Sequence, residues 1–192
     1  MRRADSQQML DRAQDESAAR QDFLNAMARV ATSVAVVATD GPAGCFGVTV
    51  SAFASVSADP PTVLVCINRR SPVVGAIGIN GVMTLNILGA GQSAIADVFA
   101  GRSLQHKPFD FSCAEWGDGG LEGARHLNDA AVSLHVAITT VQEVETHAVI
   151  LGRVIATCLS GTEPLIYAQS RYGRPAFLAA GEAPAPTFVQ ST

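Results

Sequence analysis

Thr49, Ser51, Ser55 and Ser57 place four small hydroxyl groups in one uncharged stretch, Gly44-Cys-Phe-Gly-Val-Thr-Val-Ser-Ala-Phe-Ala-Ser-Val-Ser57. Close behind it comes Asp59-Pro-Pro-Thr-Val-Leu-Val-Cys-Ile-Asn68. Hydroxyls and glycines between β-branched residues offer hydrogen bonds to a polar ligand lying against two adjacent strands. The same composition suits a Ser/Thr-rich hairpin with no ligand, because these residues also favour strands and turns. Taken alone, the stretch favours the hairpin.

Other chemistries leave weaker traces. Gly117-Asp-Gly119 begins a dinucleotide fingerprint, but its sixth position is Glu122 and no strand runs directly into a helix there. Gly75, Gly78 and Gly81 are wrongly spaced for the same role, and no Gly-Lys-Ser/Thr loop occurs. His106, His126, His135 and His147 show no metal-ligand spacing, so no metal is expected. His135 reads as a packed or solvent-facing strand histidine. His147 follows a turn at the start of a strand, where a side chain can face a cleft at a barrel rim. Gly-x-Ser-x-Gly is absent, and nothing points to hydrolysis. Cys45, Cys66, Cys113 and Cys158 form no Cys-x-x-Cys pair, and Cys66 sits in an apolar run as a small hydrophobe.

The elements that must position these residues follow from periodicity. Phe23, Ala26, Met27 and Val30 give one apolar helical stripe. Strands are expected over 32–39, 45–50, 52–57 and 62–68, with turns at Asp40-Gly-Pro42 and Asp59-Pro-Pro61. Ser71-Pro72 starts a helix reaching about Ile79, and Asn80-Gly81 leads into a strand over 82–88. A second helix covers roughly 92–100 and stops at Gly101. Residues 102–128 read as a long loop with Gly117–Gly123 at its middle. Strands over 131–142, 147–156 and 164–167 complete the chain. Helices flank these strands rather than alternate with them, which favours a mainly β antiparallel barrel over a doubly wound parallel sheet.

The 192 residues suit one domain over 21–178, with a flexible or helical leader over 1–20 and a flexible tail over 179–192. A 48% hydrophobic, 16% charged composition excludes disorder, and a net charge of −4 argues against nucleic acid as a partner. So apolar a chain leans towards an oligomer. No apolar run approaches the length of a membrane span and no signal peptide is visible, so a cytoplasmic protein off the membrane is expected.

An ordered set of segments adds what composition cannot. Val34–Gly44, Gly47-Val-Thr-Val-Ser51, Ser55-Val-Ser57, Asp59-Pro-Pro61, Val65–Ser71, Leu85–Leu88, Phe99-Ala-Gly101, Thr146-His147 with Gly152, and Pro164–Tyr167 with Arg171-Tyr-Gly173 run through residues 23 to 175. In this order they resemble the flavin reductase components of two-component flavin-dependent monooxygenases, the 4-hydroxyphenylacetate 3-monooxygenase reductase type in particular. The resemblance implies an antiparallel Greek-key split β-barrel that binds flavin, built as a homodimer. It implies an NAD(P)H:flavin oxidoreductase passing hydride to FMN or FAD, with NADH or NADPH as co-substrate and a monooxygenase large component as recipient of reduced flavin. The same fold is also compatible with reduction of another acceptor such as a corrinoid, or with a flavin carrier or sensor.

By the same resemblance, Gly47, Val48, Thr49, Ser51 and Ala52 line the flavin. Cys66, Ile67 and Asn68 run along its ring and ribityl chain, and Ser71 takes the phosphate. Phe99, Gly101 and Arg102 touch the phosphate or adenylate end. His147 lies near the nicotinamide as a positioning group, with no acid or base required for the hydride step. Tyr172 and Arg174 lie near the mouth. The chain departs from many relatives at Ala52, where they carry a second serine, and at Val144-Glu-Thr146, where they carry Gly-Asp before the histidine.

Overall fold

The computed structural model describes residues 16–118 and 125–177. Most of the expected leader, the tail from 179 and the 119–123 part of the glycine-rich loop, Glu122 included, lie outside the described residues. Helix α1 covers residues 16–27 and so runs across the expected boundary at residue 20. The strands that follow are β1 (Thr32–Ser33), β2 (Ala35–Thr39), β3 (Phe46–Val50), β4 (Phe53–Ala58) and β5 (Pro61–Asn68). Next come α2 (Pro72–Asn80), β6 (Val82–Ile87), α3 (Ser93–Phe99), a short turn of 3-10 helix (Phe111–Cys113), β7 (Trp116–Asp118) and β8 (Arg125–Leu127). The chain closes with β9 (Val132–Val144), β10 (His147–Leu159), β11 (Ile166–Ala168) and β12 (Arg171–Gly173).

Seven strands pair antiparallel in the order β3-β2-β6-β9-β10-β5-β4. The two edge strands, β3 and β4, are neighbours in sequence, so the connection Ser51–Ala52 must bring the edges together. The Cys66 amide donates to the Ala52 carbonyl at 2.8 Å, which extends the β4-β5 pairing up to that connection, and the sheet curls into a split barrel. Two smaller sheets, β1-β11-β12 and β7-β8, lie outside it.

Strand periodicity divides the core into two layers. Ala35, Val37, Val65, Ile67, Met83, Leu85 and Ile150 fill the barrel, with Phe46, Val48 and Phe53 against them. Val34, Val36, Leu88, Ala96, Phe99 and Leu127 form the outer layer beneath α3. Strand β2 is buried at every position because both its faces are covered, which is why its sequence is continuously apolar.

Polar groups fasten the β7-β8 hairpin to the sheet. Asn86 is fully buried and uses both ends of its amide. Its Nδ2 donates to the Val36 carbonyl (3.1 Å) and to Thr84 Oγ1 (3.0 Å), while its Oδ1 accepts from the Leu127 amide (2.9 Å) and Ser133 Oγ (2.8 Å). Thr84 Oγ1 donates to the Arg125 carbonyl, and Arg125 pairs with Asp40.

His135 is also fully buried, with neither ring nitrogen hydrogen-bonded among the described residues and the His126 ring 5.9 Å away. Burial, then the neighbouring His126, pushes its pKa below the ordinary 6.5. Above that ordinary value both folded and unfolded chains hold a neutral ring, and the contribution to stability is complete. As pH falls below it the unfolded chain takes up the proton first, so stability is lost down to the folded pKa, at no more than about 1.4 kcal/mol per pH unit. Urea unfolding between about pH 7.5 and pH 5.5 should show this slope, flattened in His135→Leu. An unchanged slope in the variant would remove His135 as its source.

Three expected elements differ in extent. Residues 102–128 contain the 3-10 turn and the β7-β8 hairpin rather than loop alone. Strand β9 continues to Val144, leaving Glu145 (φ 48°) and Thr146 as the whole turn, and β10 continues to Leu159. The α1 stripe faces solvent, with Phe23 63% and Met27 48% exposed.

Candidate active site

Strand β3 is the wall from which the site is built. Its inward residues Phe46, Val48 and Val50 pack on the barrel core, so Gly47 and Thr49 face α3. A Cβ on Gly47 would lie 2.7 Å from Phe99 Cε1 and 3.0 Å from Phe111 Cζ. Only glycine lets the aromatic cluster of Phe99, Phe111 and Trp116 lie directly on the strand. Thr49 Oγ1 donates to the Ala96 carbonyl at 2.7 Å and so is spent on holding α3.

One groove opens beside Gly47, bounded by Cys45, Phe46, Gly47, Ser71, Pro72, Val73 and Phe109. Ser71 is the residue before α2, extended at φ −72° and ψ 128°, with Pro72 opening the helix. Its hydroxyl makes no capping bond; Pro72 has no amide and the Val74 amide donates to the Ser71 carbonyl at 3.2 Å, so the Ser71 hydroxyl and the Val73 amide are what this end of α2 leaves for an anion. Burial, then Asp40, pushes the Cys45 thiol up, so the wall carries a neutral thiol. Asn80 anchors the turn leading into β3, accepting from the Ala43 amide at 2.9 Å and donating to Thr39 Oγ1 at 3.0 Å.

A larger cleft of about 730 Å³ is also bordered by residues of the 68–74 segment. It is lined by Arg20, Asn68, Arg69, Arg70, Val74, Glu143, Glu145, Thr146 and His147. Register sets His147 opposite Asn68. Arg69 fixes the turn before the histidine: its Nη1 donates to the Glu145 carbonyl at 2.9 Å, its Nη2 pairs with Glu143 at 3.1 Å, and its amide donates to the Thr146 carbonyl at 3.0 Å. His147 is exposed, with Nδ1 2.9 Å from Thr146 Oγ1, which leaves Nε2 as the uncommitted nitrogen. Asn68 Oδ1 is committed to the Arg70 amide at 2.9 Å.

A third groove lies at the far end of β3, between Thr49, Val50, Ser51, Ala100, Arg102, Tyr167 and Tyr172. Tyr172 Oη donates to Asp97 Oδ1 at 2.8 Å and accepts from Arg102 Nη2 at 2.9 Å. Burial, then the bond to Asp97, pushes the Tyr172 pKa up to about 12, so the phenol keeps its proton. Arg174 and Gly173 border a further hollow behind Tyr172.

The residues named from sequence therefore fall into groups. Gly47 and Ser71 share the first groove, Asn68 and His147 the second, and Thr49, Ser51, Arg102 and Tyr172 the third. Cys66 points away from the barrel core, next to exposed Ala52, and Val48 packs inward. Ile67 and Phe99 are buried in the two cores, so Phe99 acts on the site through Gly47. Gly101 has φ 70° where the chain leaves α3, with Phe109 packed 3.4 Å from where a Cβ would be. Phe46 at a strand end, Phe109 in a loop and Asp97 on a short helix carry no spacing signal in the sequence.

Apolar walls and an uncommitted hydroxyl at a helix start fit a planar apolar ring with an anionic tail. The comparisons agree: residues 27–176 match the flavin reductase like domain family. The chain belongs to this family, and by class it is a flavin reductase. Among its relatives, the FMN reductase (NADH) RutF of Variovorax paradoxus (strain S110) is 38% identical over 154 residues, 79% of this chain and 83% of that protein. The Streptomyces globisporus C-1027 NADH:FAD oxidoreductase SgcE6, solved with NAD and FAD fragments, superposes with a TM-score of 0.74 at 28% identity, covering 82% of this chain and 93% of that one. The styrene monooxygenase flavin reductase of Pseudomonas putida S12 gives 0.71 at 25% identity, over 82% and 99% respectively.

Proposed function

We propose that the chain is an NADH-dependent FMN reductase that delivers reduced flavin to a monooxygenase. The observation that carries the reading is that two clefts share residues 68–74 as a border: Ser71, Pro72 and Val73 line one, while Asn68, Arg69, Arg70 and Val74 line the other. Two substrates that must meet face to face can thus be held by one short segment. When bound, the flavin supplies a ring that accepts hydride at N5 from nicotinamide C4. The protein's task is orientation and exclusion of water.

Ser71 and the Val73 amide would hold the flavin phosphate, and Phe46 and Phe109 would cover the ring. Cys45 and Gly47 would supply the rest of that wall, while Thr49 and Ser51 border the third groove. His147, held beside Asn68 by the Arg69 contacts, would orient the nicotinamide through Nε2. FMN and NADH are favoured by the RutF relatives, whereas SgcE6 is an NADH:FAD oxidoreductase. Exposed Val56, Val141, Val144, Ile155 and Leu159 on overhanging strands support a homodimer. The styrene monooxygenase reductase supports a monooxygenase partner. No helix among the described residues is long and apolar enough to cross a membrane. The four free cysteines fit a reducing, cytoplasmic setting.

Steady-state assays crossing FMN and FAD with NADH and NADPH test the reading: NADH with FMN should give the highest kcat/KM, and no NADH oxidation with either flavin would end it. His147→Ala should raise the NADH KM about tenfold with the FMN KM nearly unchanged. An equal rise for both substrates would place the histidine in the flavin half of the site.

A further inference from the structure

Asp97 has no role in the reading so far, yet it is the point at which the third groove is tied together. Its carbonyl accepts the amides of Arg102 at 2.8 Å and Ser103 at 3.1 Å, folding the chain back over α3 just past Gly101. Its carboxylate accepts the Tyr172 hydroxyl at 2.8 Å and lies 3.5 Å from Arg102 Nη2. Tyr172 in turn accepts from the same Nη2 at 2.9 Å, and the guanidinium carbon sits 6.0 Å from the Tyr167 ring centroid. Arg102 is thus fixed from three sides at a groove that also presents Ser51.

An ion pair whose side chains are 53% and 40% exposed adds little stability by itself. What the arrangement does supply is direction. A guanidinium carries five N–H donors, more than Asp97, Tyr172 and Tyr167 can use, so donors remain for an anionic ligand. We propose that Asp97 is a positioning residue that, by clamping Tyr172 and Arg102 together, aims the Arg102 guanidinium at a phosphate of one of the two substrates in the third groove. This rests on the reading of the chain as a flavin reductase that binds flavin and nicotinamide phosphates. The two sources share one chemistry, a phosphate ester, and the kinetics separate them: FMN has a single phosphate, so a rise in its KM would move that phosphate from Ser71 to this groove, whereas a rise for NADH leaves it at Ser71.

The test is a double-mutant cycle on the full chain, with the KM for FMN and for NADH read separately and the thermal midpoint recorded for each variant. Arg102→Ala should raise one of the two KM values about tenfold, and the one that rises identifies the phosphate. Asp97→Ala should raise the same KM by a similar factor, with kcat changed less than about twofold, and should add nothing in the Arg102→Ala background. Asp97→Asn keeps an acceptor for Tyr172 and should recover part of the loss. Neither KM rising in Arg102→Ala would overturn the proposal together with the assignment of the groove to a phosphate. A rise in Arg102→Ala with Asp97→Ala silent, or with the two effects multiplying, would overturn the role of Asp97 alone.

Discussion

Gly47→Ala should destabilise the chain by about 1–3 kcal/mol and raise the FMN KM, although it adds a single methyl group. The added carbon would sit 2.7 and 2.9 Å from two ring carbons of Phe99 and 3.0 Å from Phe111. Neither ring can swing aside freely, because they stack edge-on at 4.9 Å and Phe99 meets Trp116 at 5.6 Å. The available relief is to push α3 off β3, and that stretches the 2.7 Å bond from Thr49 to Ala96. It also shifts Gly101 and Phe109 at the rim of the first groove. Denaturant unfolding reads the stability, and Gly47→Ala combined with Phe99→Leu should recover much of the loss by making room. No recovery in the double variant would mean that the packing against Phe99 is not the cause.

Asn86→Ala should cost about 3 kcal/mol or more, the largest stability effect expected from a single side chain here. The substitution leaves the Leu127 amide and the Ser133 hydroxyl without their partner in a fully buried place. Because Leu127 belongs to β8, the loss should be local first: amides over 116–118 and 125–127 should exchange faster with solvent, while those of β5 and β10 keep their protection. Uniform loss of protection would show that the asparagine serves the whole barrel rather than the hairpin.

Strand β5 was legible because it buries one face, so Val63, Val65 and Ile67 alternate with Thr62, Leu64 and Cys66 as the pleat requires. Helix α2 was legible from Ser71-Pro72 at its start and Gly81 at φ 71° at its end. The β7-β8 hairpin was not, since Trp116-Gly-Asp118 and Arg125-His-Leu127 contain no β-branched run. Its pairing depends on Asn86, Thr84 and Asp40, which are distant in sequence. The site was legible as a set of segments through the family resemblance, with its hydroxyls as the cue. What those hydroxyls do was not. Thr49 spends its hydroxyl on α3, Ser57 turns to the Asp59 backbone, and Ser71 keeps its own uncommitted. Glycine at 47 looked like a ligand contact, and its need arises from an aromatic ring donated by a helix far along the chain.

The central claim is that flavin is a substrate which the chain reduces and releases. Anaerobic mixing of a catalytic amount of the chain with excess FMN and a larger excess of NADH tests it directly. The account predicts that the visible absorbance of the whole FMN pool bleaches over many turnovers. Bleaching that stops at one flavin per chain, or none at all, would contradict it.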